Sequence, residues 1–292
     1  MLHDNENLDG FLFPESISEA LDIFHASDGK AKFFAGGTWL MRSQLRNEKL
    51  PEVFISLGKI GGLNIFHNTS KEVIIGSMNT HQLIEKKLQD VDELSAVYCA
   101  ASSSANPSVR GVASVGGNLM SKNFFSSDLF PALLACEATI EICTQSETSE
   151  ILLEDFLNLN IEKKDIFIIS KVKIPKGRFF SNHQRMLIRN AGEYPIANLS
   201  IKLTLKNYII SDIKLFVGSV EERPKAWSSL ENELRGTQFN PQSVRELAKL
   251  NLSCFTGRDG ADAPGWYRVR VLPKMICSAF QEINTSIIKA KG

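Results

Sequence analysis

Two short glycine loops constrain this chain more than any other feature. Ala35-Gly36-Gly37-Thr38 follows directly on the apolar run Ala31–Phe34, and Ser114-Val115-Gly116-Gly117-Asn118 comes later. Paired glycines let the backbone take a positive φ and let another molecule approach where a Cβ would clash. A turn rich in free N–H groups after a strand can also hold an anion such as a diphosphate. By spacing alone, Ala35–Thr38 reads either as a βα turn without a ligand or as a binding turn. Two such loops, followed by Ser127-Asp128-Leu129, favour a binding site. No Gly-x-Gly-x-x-Gly and no phosphate-loop Lys-Ser/Thr follows either loop, which disfavours a Rossmann domain or a nucleoside-triphosphatase.

The rest of the chain supplies elements around these loops. Ser16 and Glu19 form a Ser-x-x-Glu capping box. Ile17, Ala20, Leu21 and Phe24 then make one apolar stripe of a helix, after a polar tail over residues 1–12. Trp39, Leu40, Met41 and Leu45 predict a second helix beside the first loop, and Val53–Leu57 a strand that closes a small α/β unit. Strands around Asn64–Phe66 and Glu72–Gly76 open a second unit, with a helix capped by Thr80. Residues 93–105 read as an Ala/Ser-rich helix stopped at Asn106-Pro107. Pro131–Ala138 reads as a buried helix, with strands at Thr139–Cys143 and Ile166–Ile174. Residues 176–184 look like a linker. Beyond it, Leu199, Ile201, Leu203 and Leu205 alternate with polar residues, predicting a half-buried antiparallel strand that turns at Lys206-Asn207. Asn240-Pro241 signals a helix start, and a final helix over Trp266–Lys289 is expected to kink at Pro273. The divisions expected are 1–62, 63–176 and 177–292.

Composition narrows the partners. With 33 basic and 33 acidic residues among 292, nothing draws the chain to nucleic acid or an anionic membrane. Cys99, Cys136, Cys143, Cys254 and Cys277 include no Cys-x-x-Cys pair, so no metal or cluster framework is encoded locally. They suit a reducing compartment, and the acidic N-terminus lacks a signal-peptide pattern, so the cytoplasm is the expected location. No apolar run is long enough to span a bilayer. The histidines (His25, His67, His81 and His183 among them) have no ligand spacing, and no nucleophile arrangement is visible. No catalytic residue is therefore assigned.

The run Ala105-Asn106-Pro107-Ser108-Val109-Arg110-Gly111-Val112-Ala113-Ser114-Val115-Gly116-Gly117-Asn118 resembles the second flavin loop of a known family. These are the FAD-binding medium subunits of molybdenum hydroxylases of the xanthine dehydrogenase and aerobic carbon monoxide dehydrogenase type. Ala35–Thr38 sits where that family has its first flavin loop, and the resemblance extends from about Phe13 to the C-terminal helix. It implies an α+β chain: a PCMH-type FAD-binding domain of two α/β subdomains clasping FAD, then a carbon monoxide dehydrogenase flavoprotein-type C-terminal α+β domain. The implied cofactor contacts are Phe34, Ala35, Gly36, Gly37, Thr38 and Trp39, then Ser114, Val115, Gly116, Gly117 and Asn118, with Asp128 and Arg185.

Arg189 is a further basic candidate by the same resemblance. Phe33, Phe34, Phe124 and Phe125 could pack on the isoalloxazine or simply be core. Asp128 reads equally as a helix N-cap. The chain departs from its relatives in carrying Trp39 where an acidic residue often stands. A one-residue-longer segment before Asp128 also lacks the usual proline. The resemblance further implies a large molybdopterin-binding subunit and a small 2Fe-2S subunit as partners, in a dimer of heterotrimers. Electrons would leave FAD for NAD, a quinone or oxygen. A free-standing flavin oxidoreductase and a flavin-free structural subunit are the alternatives.

Overall fold

The computed structural model describes residues 10–159, 166–188 and 194–289. The first described element, strand β1 (Phe11–Leu12), falls within the expected tail. Helix α1 (Ile17–Ala26) starts where Ser16 Oγ accepts the Glu19 N–H at 3.1 Å. The other half of the capping box is displaced by one residue, because the Glu19 carboxylate accepts from Glu15 N–H at 2.8 Å. Strand β2 (Ala31–Phe34) delivers the first glycine loop, and the expected second helix is a 3₁₀ segment, Leu40–Arg46. Strand β3 (Val53–Ser56) lies between β1 and β2 in a parallel three-stranded sheet. Ala20, Leu21, Ala31, Ile55 and Leu57 form its core.

Strands β4 (Phe66–Asn68) and β5 (Glu72–Gly76) pair as a hairpin. Helix α2 (His81–Leu88) follows, with Thr80 Oγ accepting from Leu83 N–H at 3.3 Å. Next come α3 (Ser95–Ser103), the single turn α4 (Pro107–Arg110), α5 (Val115–Met120) and α6 (Leu129–Ala135). Strands β6 (Thr139–Cys143) and β7 (Thr148–Leu152) form a second hairpin. After α7 (Leu153–Asn158), strand β8 (Ile168–Pro175) completes a five-stranded sheet of order β4-β5-β8-β6-β7.

The expected linker is largely strand β9 (Phe180–Met186), with Ser181, Asn182 and His183 buried. Its polar sequence shows no apolar period, because hydrogen bonds rather than apolar contacts fill its inner face. It pairs with β10 (Ala197–Lys206), which turns through Asn207 and Tyr208 into β11 (Ile209–Gly218). Both turn residues have positive φ (51° and 63°), as a two-residue hairpin turn of the primed kind requires. With β12 (Lys225–Ala226) the antiparallel sheet has the order β12-β11-β10-β9.

Helices α8 (Ser228–Leu234), α9 (Val244–Leu250), α10 (Gly265–Arg270) and α11 (Leu272–Lys289) follow. The expected kink at Pro273 is instead a break at Val271. Pro273 stands in the first turn of α11, where its missing N–H leaves no bond unmade. Strand β10 also differs from the half-buried reading, since Asn198, Ser200 and Lys202 are buried with Leu199, Ile201 and Leu203. The apolar set packs with α11, through Met275, Ile276, Ala279 and Phe280. The other face is covered by α6 and α3.

The chain falls into two compact units, neither continuous in sequence. One takes the chain up to Leu83, Ser108–Ser121 and Ala138–Ile174, and holds both the three-stranded and the five-stranded sheet. The other takes Ile84–Pro107, Lys122–Glu137 and the chain from Pro175, and holds the four-stranded sheet. Among the described residues no helix is long and apolar enough to cross a membrane.

Candidate cofactor site

The first unit brings the two glycine loops together. Strand β2 ends at Phe34, whose ring meets Phe11 and Phe54 edge to face at centroid distances of 5.2 and 5.9 Å. Phe33 stacks on Phe24 at 4.9 Å, so both phenylalanines are anchored in protein contacts. Gly37 then takes φ +69°, the left-handed conformation that glycine adopts without strain. Gly36 is required for a different reason: a Cβ there would lie 1.8 Å from the Val112 carbonyl oxygen. The turn is thus pressed directly onto the segment that leads into the second loop.

What this turn leaves open is its set of backbone donors. The N–H groups of Gly36, Gly37 and Thr38 have no acceptor among the described residues, and the turn is only partly covered. Consecutive unpaired N–H groups at a strand end form a concavity that suits an anion such as a diphosphate. Beside it, Trp39 carries the Arg46 guanidinium over its ring at 4.1 Å, and Arg46 pairs with Glu48 at 2.7 Å. The hydrogen bond from Arg46 holds the Glu48 carboxyl below the usual carboxylate range.

The second loop is the first turn of a helix rather than an open turn. Ser114 is the N-cap of α5, its Oγ accepting from Gly117 N–H at 3.2 Å. Val115 N–H donates to Asn79 O at 3.0 Å and Gly116 N–H to Ser77 O at 2.8 Å. Gly116 and Gly117 therefore have helical backbones, and their donors are taken by the protein. A Cβ on Gly116 would stand 2.7 Å from Ser77 Cβ; one on Gly117 would stand 3.0 Å from Ser114 Oγ and 3.6 Å from Ala35 Cβ. Asn118 N–H returns to Ser114 O at 2.9 Å, inside the helix and not in the left-handed region. Ser77, Asn79 and Val112 were not identifiable from the sequence, because their part is played by backbone carbonyls.

Asp128 and Arg185 meet in the second unit. Asp128 precedes α6 but does not cap it; Ser127 Oγ accepts from Phe130 N–H at 3.1 Å instead. The Asp128 side chain, 3% exposed, accepts on Oδ1 from Arg185 Nε at 2.9 Å. The same oxygen lies 3.2 Å from His183 Nε2 and 3.3 Å from Asn198 Nδ2. His183 Nδ1 is 2.8 Å from Ser200 Oγ, and Asn198 Nδ2 also donates to Ser127 O at 2.8 Å. On the same sheet, buried Lys202 pairs with Glu137. Phe124 meets Tyr194 edge to face at 5.4 Å, and Phe125 lies under the Arg258 guanidinium at 5.3 Å. Arg189 lies outside the described residues. No group of His, Cys, Asp and Glu among the described residues is arranged to hold a metal ion.

Comparison with solved structures places this architecture in a class. The chain superposes on a carbon monoxide dehydrogenase chain from Hydrogenophaga pseudoflava with a TM-score of 0.84 and 19% identity, covering 93% of this chain and 95% of that one. It superposes on a chain of quinoline 2-oxidoreductase from Pseudomonas putida 86 with a TM-score of 0.82 and 18% identity, covering 94% and 97%. The fold is the two-domain fold of these oxidoreductase chains.

The family follows from the sequence models: residues 6–177 match the FAD binding domain in molybdopterin dehydrogenase, and the chain belongs to that family. Residues 183–283 match the CO dehydrogenase flavoprotein C-terminal domain. Full-length relatives include the glyceraldehyde dehydrogenase medium chain of Sulfolobus acidocaldarius, 22% identical over 92% of this chain and 96% of the relative. The nicotine 6-hydroxylase medium subunit of Paenarthrobacter nicotinovorans is 25% identical over 90% and 93%. The chain is an FAD-binding oxidoreductase subunit of the molybdenum hydroxylase family.

Proposed function

We propose that this chain takes electrons from the 2Fe-2S clusters of a small partner subunit and passes them through FAD to NAD or another acceptor. The electrons would originate at a molybdenum cofactor on a large partner subunit. When bound, the flavin supplies the electron-transfer chemistry that no side chain of this chain provides. The observation that carries the reading is the turn at Gly36, Gly37 and Thr38, whose N–H groups have no acceptor among the described residues. In this reading those groups bind the cofactor diphosphate. Ser114 and the first turn of α5 buttress them from below. Phe34 fixes the strand end from which the turn departs.

The visible spectrum of the purified chain, before and after adding FAD, tests this. Bands near ~375 and ~450 nm that bleach on reduction are expected. A folded chain that stays colourless in excess FAD, alone and with its partner subunits, would overturn the reading. Co-purification with cluster-bearing and molybdenum-bearing chains tests the partners. Rapid flavin reoxidation by NAD⁺ under anaerobic conditions tests the acceptor.

A further inference from the structure

We infer that Arg46 is a positioning residue for the first glycine turn, gripping Trp39 by its carbonyl and its ring and so fixing how the preceding N–H groups face a diphosphate. This deepens the FAD reading above and rests on it. Every residue involved belongs to the first unit. Trp39 is where the turn passes into the 3₁₀ segment, with φ −97° and ψ −45°. Arg46, at the far end of that segment, donates from Nη1 to Trp39 O at 3.1 Å, and its guanidinium lies over the indole ring at 4.1 Å. One side chain thus holds both the backbone and the ring of the residue that follows the donors Gly36, Gly37 and Thr38.

The grip is itself set by its surroundings. Arg46 Nη2 donates to Glu48 Oε2 at 2.7 Å and to Ser43 Oγ at 3.3 Å. Ser43 is buried, and its own hydroxyl donates to Leu40 O at 2.6 Å. Asn47, with φ +57°, turns the chain so that Glu48 comes back to the guanidinium, and Glu48 N–H donates to Ser43 O at 3.0 Å. A planar guanidinium can meet a carbonyl, a carboxylate and an aromatic face together, which a lysine ammonium cannot. Glu48 also balances the Arg46 charge, so the role left to Arg46 is geometric rather than attraction of the anion at a distance. Two backbone bonds tie the segment to the turn as well, Met41 N–H to Gly37 O at 2.9 Å and Arg42 N–H to Trp39 O at 3.1 Å. A turn held in one conformation binds with the full affinity of its donors; one that samples others loses affinity in proportion.

The test is FAD titration of the full chain by flavin fluorescence, with thermal unfolding of the apo form measured in parallel. Arg46→Met is expected to weaken FAD binding about tenfold at temperatures where the apo chain is fully folded. Arg46→Lys keeps the charge but loses the planar fork, and is expected to be impaired nearly as much. Gly37→Ala displaces the same donors, so in that background Arg46→Met should weaken FAD binding by less than about twofold further. Equal FAD affinity in wild type and Arg46→Met would overturn the inference, as would a loss seen only where the apo chain has begun to unfold. Independent, additive losses in the double variant would overturn it too, because the two changes would then act at separate places. Full recovery in Arg46→Lys would assign the effect to charge instead and overturn the positioning role. If Arg46→Met does not fold, Arg46→Lys carries the test, and wild-type affinity there has the same meaning. A wild-type chain that binds no FAD would instead sink the function on which the inference stands.

Discussion

The two glycine loops look alike in sequence and do opposite things in the structure. At Gly36-Gly37 the positive φ of Gly37 turns the backbone, and consecutive N–H groups have no acceptor among the described residues. At Gly116-Gly117 the backbone is helical, and its donors go to Ser77 O and Ser114 Oγ. The first loop presents donors; the second is the surface on which the first rests. Glycine serves both because it lacks a Cβ, but only one of the two uses its conformational freedom. A glycine pair therefore marks a close approach, and that approach can be to the protein itself.

Substitutions can break this comparison, and the largest effect is expected at Gly36. Gly36→Ala drives a Cβ to 1.8 Å from the Val112 carbonyl, a clash with backbone that side-chain movement cannot relieve. A loss of about 3 kcal/mol or more in unfolding free energy is expected, together with loss of FAD binding. Gly116→Ala, 2.7 Å from Ser77 Cβ, should cost about 2 kcal/mol, with FAD affinity falling only as far as stability does. Denaturant unfolding alongside FAD titration checks both; intact stability in either variant would refute the packing account.

Gly37→Ala separates the loops most sharply. It forces an alanine into φ +69° at a cost of about 1 kcal/mol, and the nearby Phe34 ring edge, 2.6 Å from the new Cβ, must shift. Its loss of FAD affinity should exceed its loss of stability, whereas the reverse should hold for Gly116→Ala. Ser114→Ala removes the cap of α5 and is expected to cost about 1 kcal/mol, read as a modest fall in unfolding temperature.

The smallest effect concerns pH. Because the Glu48 pKa is held down in the folded chain, its pairing with Arg46 is present above the ordinary carboxylate pKa and lost as pH falls through the folded value. FAD affinity at the first loop should therefore not vary through this pair from about pH 5 to 8, and a Glu48→Gln chain should show the same flat pH profile there.

The same contrast explains which parts of the site could be read from residues. The strand Ala31–Phe34, the turn after it, the Thr139–Cys143 strand and the Asn207-Tyr208 hairpin are encoded by patterns within a few residues of each other. Strand β9 resembles a linker in sequence because Phe-Ser-Asn-His-Gln-Arg-Met carries no alternation of apolar residues. What buries it is a polar network whose partners lie far away in sequence: Ser181 with Ala96 N and Glu93 O, Asn182 with Glu282, and His183 with Asp128 and Ser200. The alternation in β10 was legible, but its polar positions looked like a solvated face. Helices α3 and α6 cover that face instead, and each buried polar side chain there meets a partner.

By itself the sequence determined the family, the glycine turn after β2 and most of the regular elements. These depend on local periodicity, on capping and on motifs a few residues long. Only the tertiary structure decided which glycine pair leaves its donors open, that Asp128 is clamped by His183, Arg185 and Asn198 rather than capping a helix, and that the linker is a strand. Those outcomes depend on which distant carbonyl or side chain reaches each polar group first. That competition is settled by the packing of whole elements, and no short stretch of chain encodes it.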